Sequence, residues 1–270
     1  MPYHYLIPDF APMVTDTDCE PGDPALPLDG SDTLTRSVAA LRGEGWMIYP
    51  LLNPAEFDEL KERLTRHIKN RLLEHGPVSE GFTLEKYHEA VADDATHYAI
   101  SSWAMLPDVL GPLYETIKGR VEALLHQKLA LKEIEHRHEK GTFLGFRIVR
   151  PGKTDHSPIH RDAWLPYWRN TMNIWLPVCG FGEGNTMHLL PKTHLLSDAD
   201  ILKTKQGASI NGRVYHVPAA IALKHPFEQT KPYLDAGEAL FFSPYLLHGN
   251  GANGLPDTTR ISIELRFCAV

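Results

Sequence analysis

The sequence predicts an α+β fold that is mostly β: a double-stranded β-helix, a jelly roll of the cupin type, with N-terminal helices packed on one sheet. Three observations predict it. Helical patterns of apolar residues end near residue 130, and strand patterns dominate from there to the C-terminus. A length of 270 residues suits one jelly roll that carries helices. No repeat, low-complexity segment or linker divides the chain.

The expected organisation is an N-terminal arm and one domain. Residues 1–30 are rich in Pro, Asp and Gly and show little periodicity, so we expect an arm, with a flap over a functional site as the alternative. Residues 31–270 should form the domain, with a helical part over residues 31–130 and a barrel over residues 131–270. Within the barrel, residues 196–235 are expected to be loop-rich.

The clearest helix signal starts at Asn53. Asn53 is a favoured N-cap, Pro54 suits the first helical position, and Glu56 completes a capping box. The apolar stripe of this helix comprises Phe57, Leu60, Leu64 and Ile68. A further helix is expected over about residues 107–128.

Two strands show strict alternation. The strand over residues 171–178 places Thr171, Asn173 and Trp175 on one face, opposite Met172, Ile174 and Leu176. The strand over residues 260–267 separates a polar face from an apolar face. The polar face comprises Arg260, Ser262, Glu264 and Arg266, and the apolar face Ile261, Ile263, Leu265 and Phe267.

Composition limits the classes of partner. The net charge of −7 and the absence of a basic run argue against nucleic-acid binding, which depends on phosphate neutralisation. No apolar run is long enough to span a membrane, and no signal peptide is visible at the start. Three scattered cysteines show neither metal nor disulfide spacing. We therefore expect a cytoplasmic protein with a small-molecule substrate and leave its oligomeric state open.

His160, Asp162 and His248 form the candidate metal site. A His-x-Asp pair with one distant His is how a 2-His-1-carboxylate facial triad looks in sequence, and such a triad suits Fe(II). Residues two apart on a strand point the same way, so one short strand can supply His160 and Asp162. His248 must then come from a strand folded back beside it, and residues 131–270 become a metal-binding barrel.

Arg260 and Ser262 form the candidate site for an organic acid beside the metal. Eleven residues separate His248 from Arg260, enough for a strand end, a turn and entry into the next strand. A guanidinium and a hydroxyl two residues apart on one strand face can reach the same carboxylate, the arginine as a bidentate clamp.

With these residues the chain resembles the Fe(II)/2-oxoglutarate-dependent oxygenases, and within them the phytanoyl-CoA dioxygenase-like group. One departure stands out: Lys192-Thr193 occupies the place where the family usually has Gly-Ser. The segments that carry the resemblance are Leu34–Pro50, Ile159–Trp164, Gly184–His194, Phe242–His248 and the pair Arg260-x-Ser262.

The resemblance implies Fe(II), 2-oxoglutarate as cosubstrate, and O2. It implies oxidation of an unactivated C–H bond of a small metabolite, in secondary metabolism, with release of succinate and CO2. Hydroxylation is the default outcome; desaturation, ring closure and epoxidation use the same ligands. Halogenation is disfavoured, because Asp162 stands where the family's halogenases have a small residue.

Further site candidates each have a structural alternative. Asn173 and Thr186 can bind 2-oxoglutarate or be satisfied core polar groups. Trp164, Arg161 and Trp168 can contact substrate or pack the mouth of the barrel. On a regular strand Arg161 points away from the metal and Trp164 toward it, so Trp164 is the better candidate to wall a substrate pocket.

Two other functions remain open. The first is a cupin-like metalloenzyme without an oxoacid cosubstrate, and the second is a non-catalytic jelly-roll module that binds a ligand. The stretch over residues 136–139 (His-Arg-His-Glu) resembles the first metal motif of cupins, but it lacks the glycine-rich flanks and is expected at a solvated strand edge. Succinate formation separates the oxygenase from both alternatives.

Overall fold

The computed structural model describes residues 4–5, 18–26, 33–91, 93–101, 104–105, 109–136, 139–153, 155, 157–210 and 213–270. The α-helices within them are α1 (Thr33–Arg36), α2 (Ala39–Glu44), α3 (Pro54–Leu73), α4 (Tyr87–Ala90), α5 (Asp94–Ile100) and α6 (Leu113–Leu125). The first strands are β1 (His4–Tyr5), β2 (Cys19–Pro21), β3 (Trp46–Pro50), β4 (Ala104–Met105), β5 (Leu129–Leu131), β6 (Glu133–His136), β7 (Glu139–Val149) and β8 (Thr171–Cys179). The remaining strands are β9 (His188–Leu190), β10 (Ile201–Thr204), β11 (Ala208–Ile210), β12 (Arg213–Tyr215), β13 (Ala220–Leu223), β14 (Glu238–Phe242), β15 (Leu247–Gly249) and β16 (Arg260–Ala269).

Helix α3 starts and packs as its sequence predicts. The Asn53 side chain accepts a hydrogen bond from the Glu56 amide at 3.0 Å, and the Glu56 carboxylate accepts one from the Asn53 amide at 2.8 Å. This reciprocal pair satisfies two amides that the helix start leaves without partners. The helix predicted over residues 107–128 is α6, and Arg120 on it forms a two-pronged ion pair with Glu56.

The larger sheet is antiparallel and runs in the order β3-β14-β8-β16-β7-β4, with β5 paired to β16 and β6 to β7. Its outer face packs on the helices in one hydrophobic core. Core members on α3 include Phe57, Leu60, Leu64 and Ile68, and those on β16 are Ile261, Ile263, Leu265 and Phe267. The alternation predicted for β8 and β16 is therefore confirmed, and the polar face of β16 points to the opposite side of the sheet.

Short strands form the second layer of the jelly roll. One sheet runs in the order β1-β13-β10-β2, and β15 pairs with β9 beside it. Two strands of the predicted arm, β1 and β2, pair with β13 and β10. An apolar cluster that includes Trp175, Leu189 and Phe242 fills the space between the layers. The predicted double-stranded β-helix with helices on one sheet is confirmed, and the interior between the layers is where β16 presents its polar side chains.

Among the described residues, no helix combines the length and the apolar character that crossing a membrane requires.

Candidate active site

His160 and His248 lie side by side across a single antiparallel bridge. Each backbone N–H donates to the other residue's carbonyl, at 2.8 and 3.0 Å. Each ring also places Nδ1 on the carbonyl two residues earlier, at 2.8 Å on Pro158 and 2.9 Å on Leu246. A carbonyl accepts only, so both Nδ1 atoms carry a proton, and the Nε2 atoms are the ring atoms directed toward Asp162. The two imidazoles are thereby oriented as metal ligands.

Asp162 completes the group, though not from a strand. Residues Asp162–Trp164 form a 3₁₀ turn, so the prediction that one strand supplies both His160 and Asp162 is wrong. The turn still directs the carboxylate inward: Oδ1 lies 3.2 Å from His160 Nε2 and 3.9 Å from His248 Nε2. The three candidate ligand atoms lie within 4.8 Å of one another, and all three residues are buried.

The charge distribution at the His160, Asp162 and His248 group favours a bound cation. Burial, reinforced by the neighbouring His160, lowers the pKa of His248 to about 4, so this ring is neutral at neutral pH. Burial opposes the charge on Asp162, but Arg266 and the two histidines hold its pKa well below its usual range. The Nε2 atoms of two imidazoles and one carboxylate oxygen therefore converge on one point. A borderline divalent ion such as Fe(II) fits this donor set.

Asn173 touches the metal-site carboxylate. Its Nδ2 donates to Asp162 Oδ2 at 2.9 Å, and Arg266 Nη2 reaches the same oxygen at 3.0 Å. Asn173 was predicted to bind 2-oxoglutarate; the structure instead directs its amide N–H to Asp162. The amide Oδ1 has no hydrogen-bond partner among the described residues.

Arg260 lies in a buried pocket of neutral oxygens. Its Nη2 donates to Asn250 Oδ1 at 3.0 Å and to the Gly251 carbonyl, and its Nη1 lies 3.3 Å from Asn185 Oδ1 and 3.4 Å from the carbonyls of Thr186 and Ala252. Burial lowers the pKa of Arg260 to about 10, and the charge is retained at neutral pH. Both terminal nitrogens thus have partners already. The arginine is therefore not free to bind a carboxylate through both terminal nitrogens, as the predicted bidentate clamp requires.

Three buried donors, on Arg260 itself and on two neighbouring residues, lack partners. Arg260 Nε, Ser262 Oγ and Asn250 Nδ2 are buried and have no hydrogen-bond partner among the described residues. Buried donors are normally paired, and a buried cation normally has a counter-charge. A carboxylate from a ligand satisfies both requirements. The residues present therefore fit one end of 2-oxoglutarate, received by one guanidinium N–H and a hydroxyl.

Thr186 supports this pocket through its backbone. Its hydroxyl donates to the Pro232 carbonyl at 2.7 Å, while its own carbonyl faces Arg260. The prediction that the Thr186 hydroxyl binds 2-oxoglutarate is therefore not what the structure shows, because that hydroxyl already has a partner.

Arg161 and Trp164 point away from the metal group. Arg161 Nη1 and Trp164 Nε1 both meet Asp198 Oδ1, at 3.0 and 2.7 Å. Arg161 is fully buried and also donates to the carbonyls of Thr193 and Leu196. The 3₁₀ turn breaks the alternation that predicted an inward Trp164, and its indole N–H is directed to Asp198. A contact of Trp164 or Arg161 with substrate stays a prediction. Both residues fasten the metal-bearing segment to the loop after β9.

Trp168 contributes to the metal group indirectly. It is buried, and the Arg266 guanidinium carbon lies 4.4 Å from the centre of its ring, in cation–π distance. Because Arg266 contacts Asp162, Trp168 lies one contact away from the metal-site carboxylate. A direct contact of Trp168 with substrate stays a prediction.

The loop that carries Lys192-Thr193, where the family usually has Gly-Ser, is still held against the candidate site. Lys192 adopts a left-handed backbone conformation with φ of 66°, which explains why glycine suits this position. The Thr193 hydroxyl accepts from the Leu247 amide at 2.9 Å and donates to the Leu190 carbonyl at 2.7 Å. Thr193 therefore ties the loop to β15, next to His248.

The sequence interpretation assigned no role to Arg266 or Asn250. The sequence contains a positional signal for each of these two residues. Arg266 lies on the same alternating face as Arg260 and Ser262, and Asn250 follows His248 by two residues. The cupin-like stretch over residues 136–139 lies partly outside the described residues, since 137 and 138 are not among them. The described residues that could hold a metal are His160, Asp162 and His248.

Two facing antiparallel sheets that enclose a His-Asp-His group define the class of jelly-roll, non-haem metalloenzymes. The chain belongs to the phytanoyl-CoA dioxygenase (PhyH) family, whose model matches residues 45–260. The protein is accordingly an oxidoreductase, of the 2-oxoglutarate-dependent kind. No curated protein sequence matches the chain.

Solved structures share the fold. EctD from S. alaskensis, crystallised with 2-oxoglutarate and 5-hydroxyectoine, is 14% identical over 97% of this chain and 87% of its own, with a TM-score of 0.52. The non-heme monooxygenase ThoJ in its apo form is 16% identical over 86% of this chain and 77% of its own, with a TM-score of 0.50. At such identities the likeness concerns the fold alone.

Proposed function

We propose that the protein is an Fe(II)- and 2-oxoglutarate-dependent dioxygenase that hydroxylates an unactivated C–H bond of a small molecule. Succinate and CO2 are the coproducts. The observation that carries the proposal is the pairing of two features: three converging lone-pair donors, and a buried arginine whose surrounding donors lack a counter-charge. A non-catalytic jelly-roll module that binds a ligand would not need the second feature. A cupin-like metalloenzyme without an oxoacid cosubstrate would not need it either. The place in secondary metabolism stays a prediction.

The chain's own residues position and shield the reactants. His160, Asp162 and His248 hold Fe(II), which together with 2-oxoglutarate and O2 supplies the oxidising chemistry when bound. Arg260 Nε and Ser262 Oγ receive the distal carboxylate of the cosubstrate. The ring of Phe242, centred 4.6 Å from the His248 ring, keeps one side of the metal group dry. Dry surroundings strengthen each of these charge interactions.

Anaerobic spectroscopy tests the proposal without a known substrate. Adding Fe(II) and 2-oxoglutarate to the wild-type protein should produce a visible charge-transfer band, and admitting oxygen should release succinate. His248→Ala should lose both, since two remaining ligands hold a divalent ion poorly. His225→Ala is the matched control: this histidine pairs with Asp200 at 3.2 Å and is not one of the candidate metal ligands, so its loss should change neither readout.

The alternatives give different results in the same experiment. Tight Fe(II) binding with no band and no succinate would favour a cupin-like metalloenzyme. Absence of metal binding in the wild-type protein would favour a non-catalytic binding module. Either result contradicts the proposal.

A further inference from the structure

The two oxygens of Asp162 have separate surroundings. Oδ1 faces the histidine Nε2 atoms, where the metal belongs. Oδ2 faces the other way and accepts three N–H groups: Asn173 Nδ2 at 2.9 Å, Arg266 Nη2 at 3.0 Å and Arg266 Nε at 3.2 Å. Charge-assisted hydrogen bonds of this kind are about twice as strong as neutral ones. The carboxylate therefore has one oxygen for the metal and one oxygen held by the protein.

We propose that Arg266, assisted by Asn173, is a positioning residue that restricts Asp162 to one metal bond, through Oδ1. This inference rests on the proposed function and deepens it. A carboxylate free to rotate can chelate a divalent ion through both oxygens. Here that rotation would break three hydrogen bonds to Oδ2 in a buried site. A metal position that a second Asp162 oxygen would take would then stay available for the cosubstrate.

Both donors come from one rung of the larger sheet. Asn173 on β8 is the direct partner of Arg266 on β16. Their side chains emerge on the same inner face, on adjacent strands, and converge on one oxygen. The site thus uses the rigid centre of the sheet, rather than a loop, to hold the metal-site carboxylate.

Arg266 is itself fixed from two further sides. Glu264 Oε2 lies 3.1 Å from Arg266 Nη2 and 2.9 Å from Arg147 Nη2, so charges alternate from Arg147 inward to Asp162. The ring of Trp168 lies against the guanidinium. Arg266 and Glu264 are more than nine-tenths buried, whereas the Arg147 side chain retains 32% of its exposure. A side chain held on this many sides can resist rotation of the carboxylate that it contacts.

The test compares Arg266→Met with Arg266→Lys under anaerobic conditions. Methionine keeps much of the stem volume and removes every donor, while lysine keeps the charge. Arg266→Met should still bind Fe(II), but 2-oxoglutarate affinity should fall at least tenfold and the charge-transfer band should weaken or shift, because Asp162 then takes a second metal position. Arg266→Lys should recover part of the band. Asn173→Ala, which removes one of the three hydrogen bonds, should give an intermediate effect and replaces Arg266→Met if that variant does not fold.

Arg147→Met is the matched control, because it breaks the outer contact with Glu264 and leaves the hydrogen bonds to Asp162 in place. It should keep the wild-type band. A wild-type band and cosubstrate affinity in Arg266→Met would overturn the inference. So would a folded Arg266→Met protein that binds no Fe(II), since Arg266 would then be needed to form the ligand rather than to restrict it. Failure of the proposed function differs from both, because the wild-type protein itself would show no band.

Discussion

Arg260 keeps its charge in a pocket that offers it only neutral oxygens. Asn185, Asn250 and three backbone carbonyls hold its terminal nitrogens, and no acidic side chain contacts it among the described residues. Desolvation costs a buried cation several kcal/mol unless a counter-charge compensates. The amides and carbonyls compensate only in part. The pocket is therefore complementary to an anion before any anion arrives.

Asn250→Asp tests this at the residue scale. The change keeps the shape of the side chain and places a carboxylate 3.0 Å from Arg260 Nη2. An internal counter-charge should compete with the cosubstrate carboxylate, so we expect the apparent Michaelis constant for 2-oxoglutarate to rise at least tenfold. The melting temperature should stay the same or rise, because the buried charge gains a partner. An unchanged Michaelis constant measured from succinate release would remove Arg260 from the cosubstrate site.

The sequence predicted those site residues whose positions follow from strand periodicity. Arg260 and Ser262 share a face because β16 pairs with β7 in unbroken register from Arg260 to Glu264, and His248 lies on β15, bridged to His160. The alternation that predicted an inward Trp164 does not hold, because Asp162–Trp164 form a turn and not a strand. That turn is held by a hydrogen bond from the Ala163 amide to the Pro244 carbonyl, a contact between distant parts of the chain that no local pattern reports.

At the scale of elements, a buried polar network joins the helical layer to the segment that leads into His160. Arg150, just after β7, donates to both oxygens of Asp155 at 2.8 and 2.9 Å and to Asp94 on α5 at 2.7 Å. His97 on α5 lies 3.5 Å from Asp155 and 3.2 Å from the Tyr87 hydroxyl. The network fixes where the metal-bearing segment begins.

Asp155→Asn should destabilise the fold by about 3 kcal/mol, because it leaves the buried Arg150 charge poorly paired. Asp94→Asn is the matched control: it removes a contact of the same arginine to a side chain that is 57% exposed, and should cost less than about 1 kcal/mol. Burial opposes the charge on Asp155, but Arg150 lowers its pKa below 3.8. The stabilisation by Asp155 should thus be present above pH 3.8 and lost as pH falls through the folded pKa. Denaturant unfolding at several pH values measures both effects; equal losses in the two variants would contradict the assignment.

Elements with long local patterns were predicted, and short paired ones were not. Helix α3 was predicted from its capping box, and strand β16 from eight alternating residues. Residues 196–235 were expected to be loop-rich, yet they contain β10 and β13, which belong to the second sheet. Each has four residues, too few for a period to be visible, and each forms because a distant strand lies beside it.

At the scale of the whole molecule, the candidate site joins parts of the chain that are far apart in sequence. Asp162 and His248 are separated by 85 residues, and β16 adds Arg260. An unfolded chain cannot bring these groups together, so a bound metal and cosubstrate stabilise only the folded state.

We expect Mn(II) with 2-oxoglutarate to raise the melting temperature of the whole protein. Ligand at about 1,000 times its dissociation constant contributes about 4 kcal/mol. For a chain of this size that corresponds to roughly 8–16 °C. Scanning calorimetry of the wild-type and His248→Ala proteins checks this. The variant should show no shift, and a shift of the same size in both would place the ligand elsewhere.

The register of β16 has a consequence for folding errors. Because successive side chains alternate between faces, a slip of one residue against β8 would turn Arg260, Glu264 and Arg266 into the helix-facing core. Burying those charges among leucines costs far more than the stability of a typical domain. Misregistered chains should therefore unfold and be degraded rather than accumulate as inactive protein. A population of this protein that passes a stability test has, for that reason alone, its cosubstrate and metal groups correctly aligned.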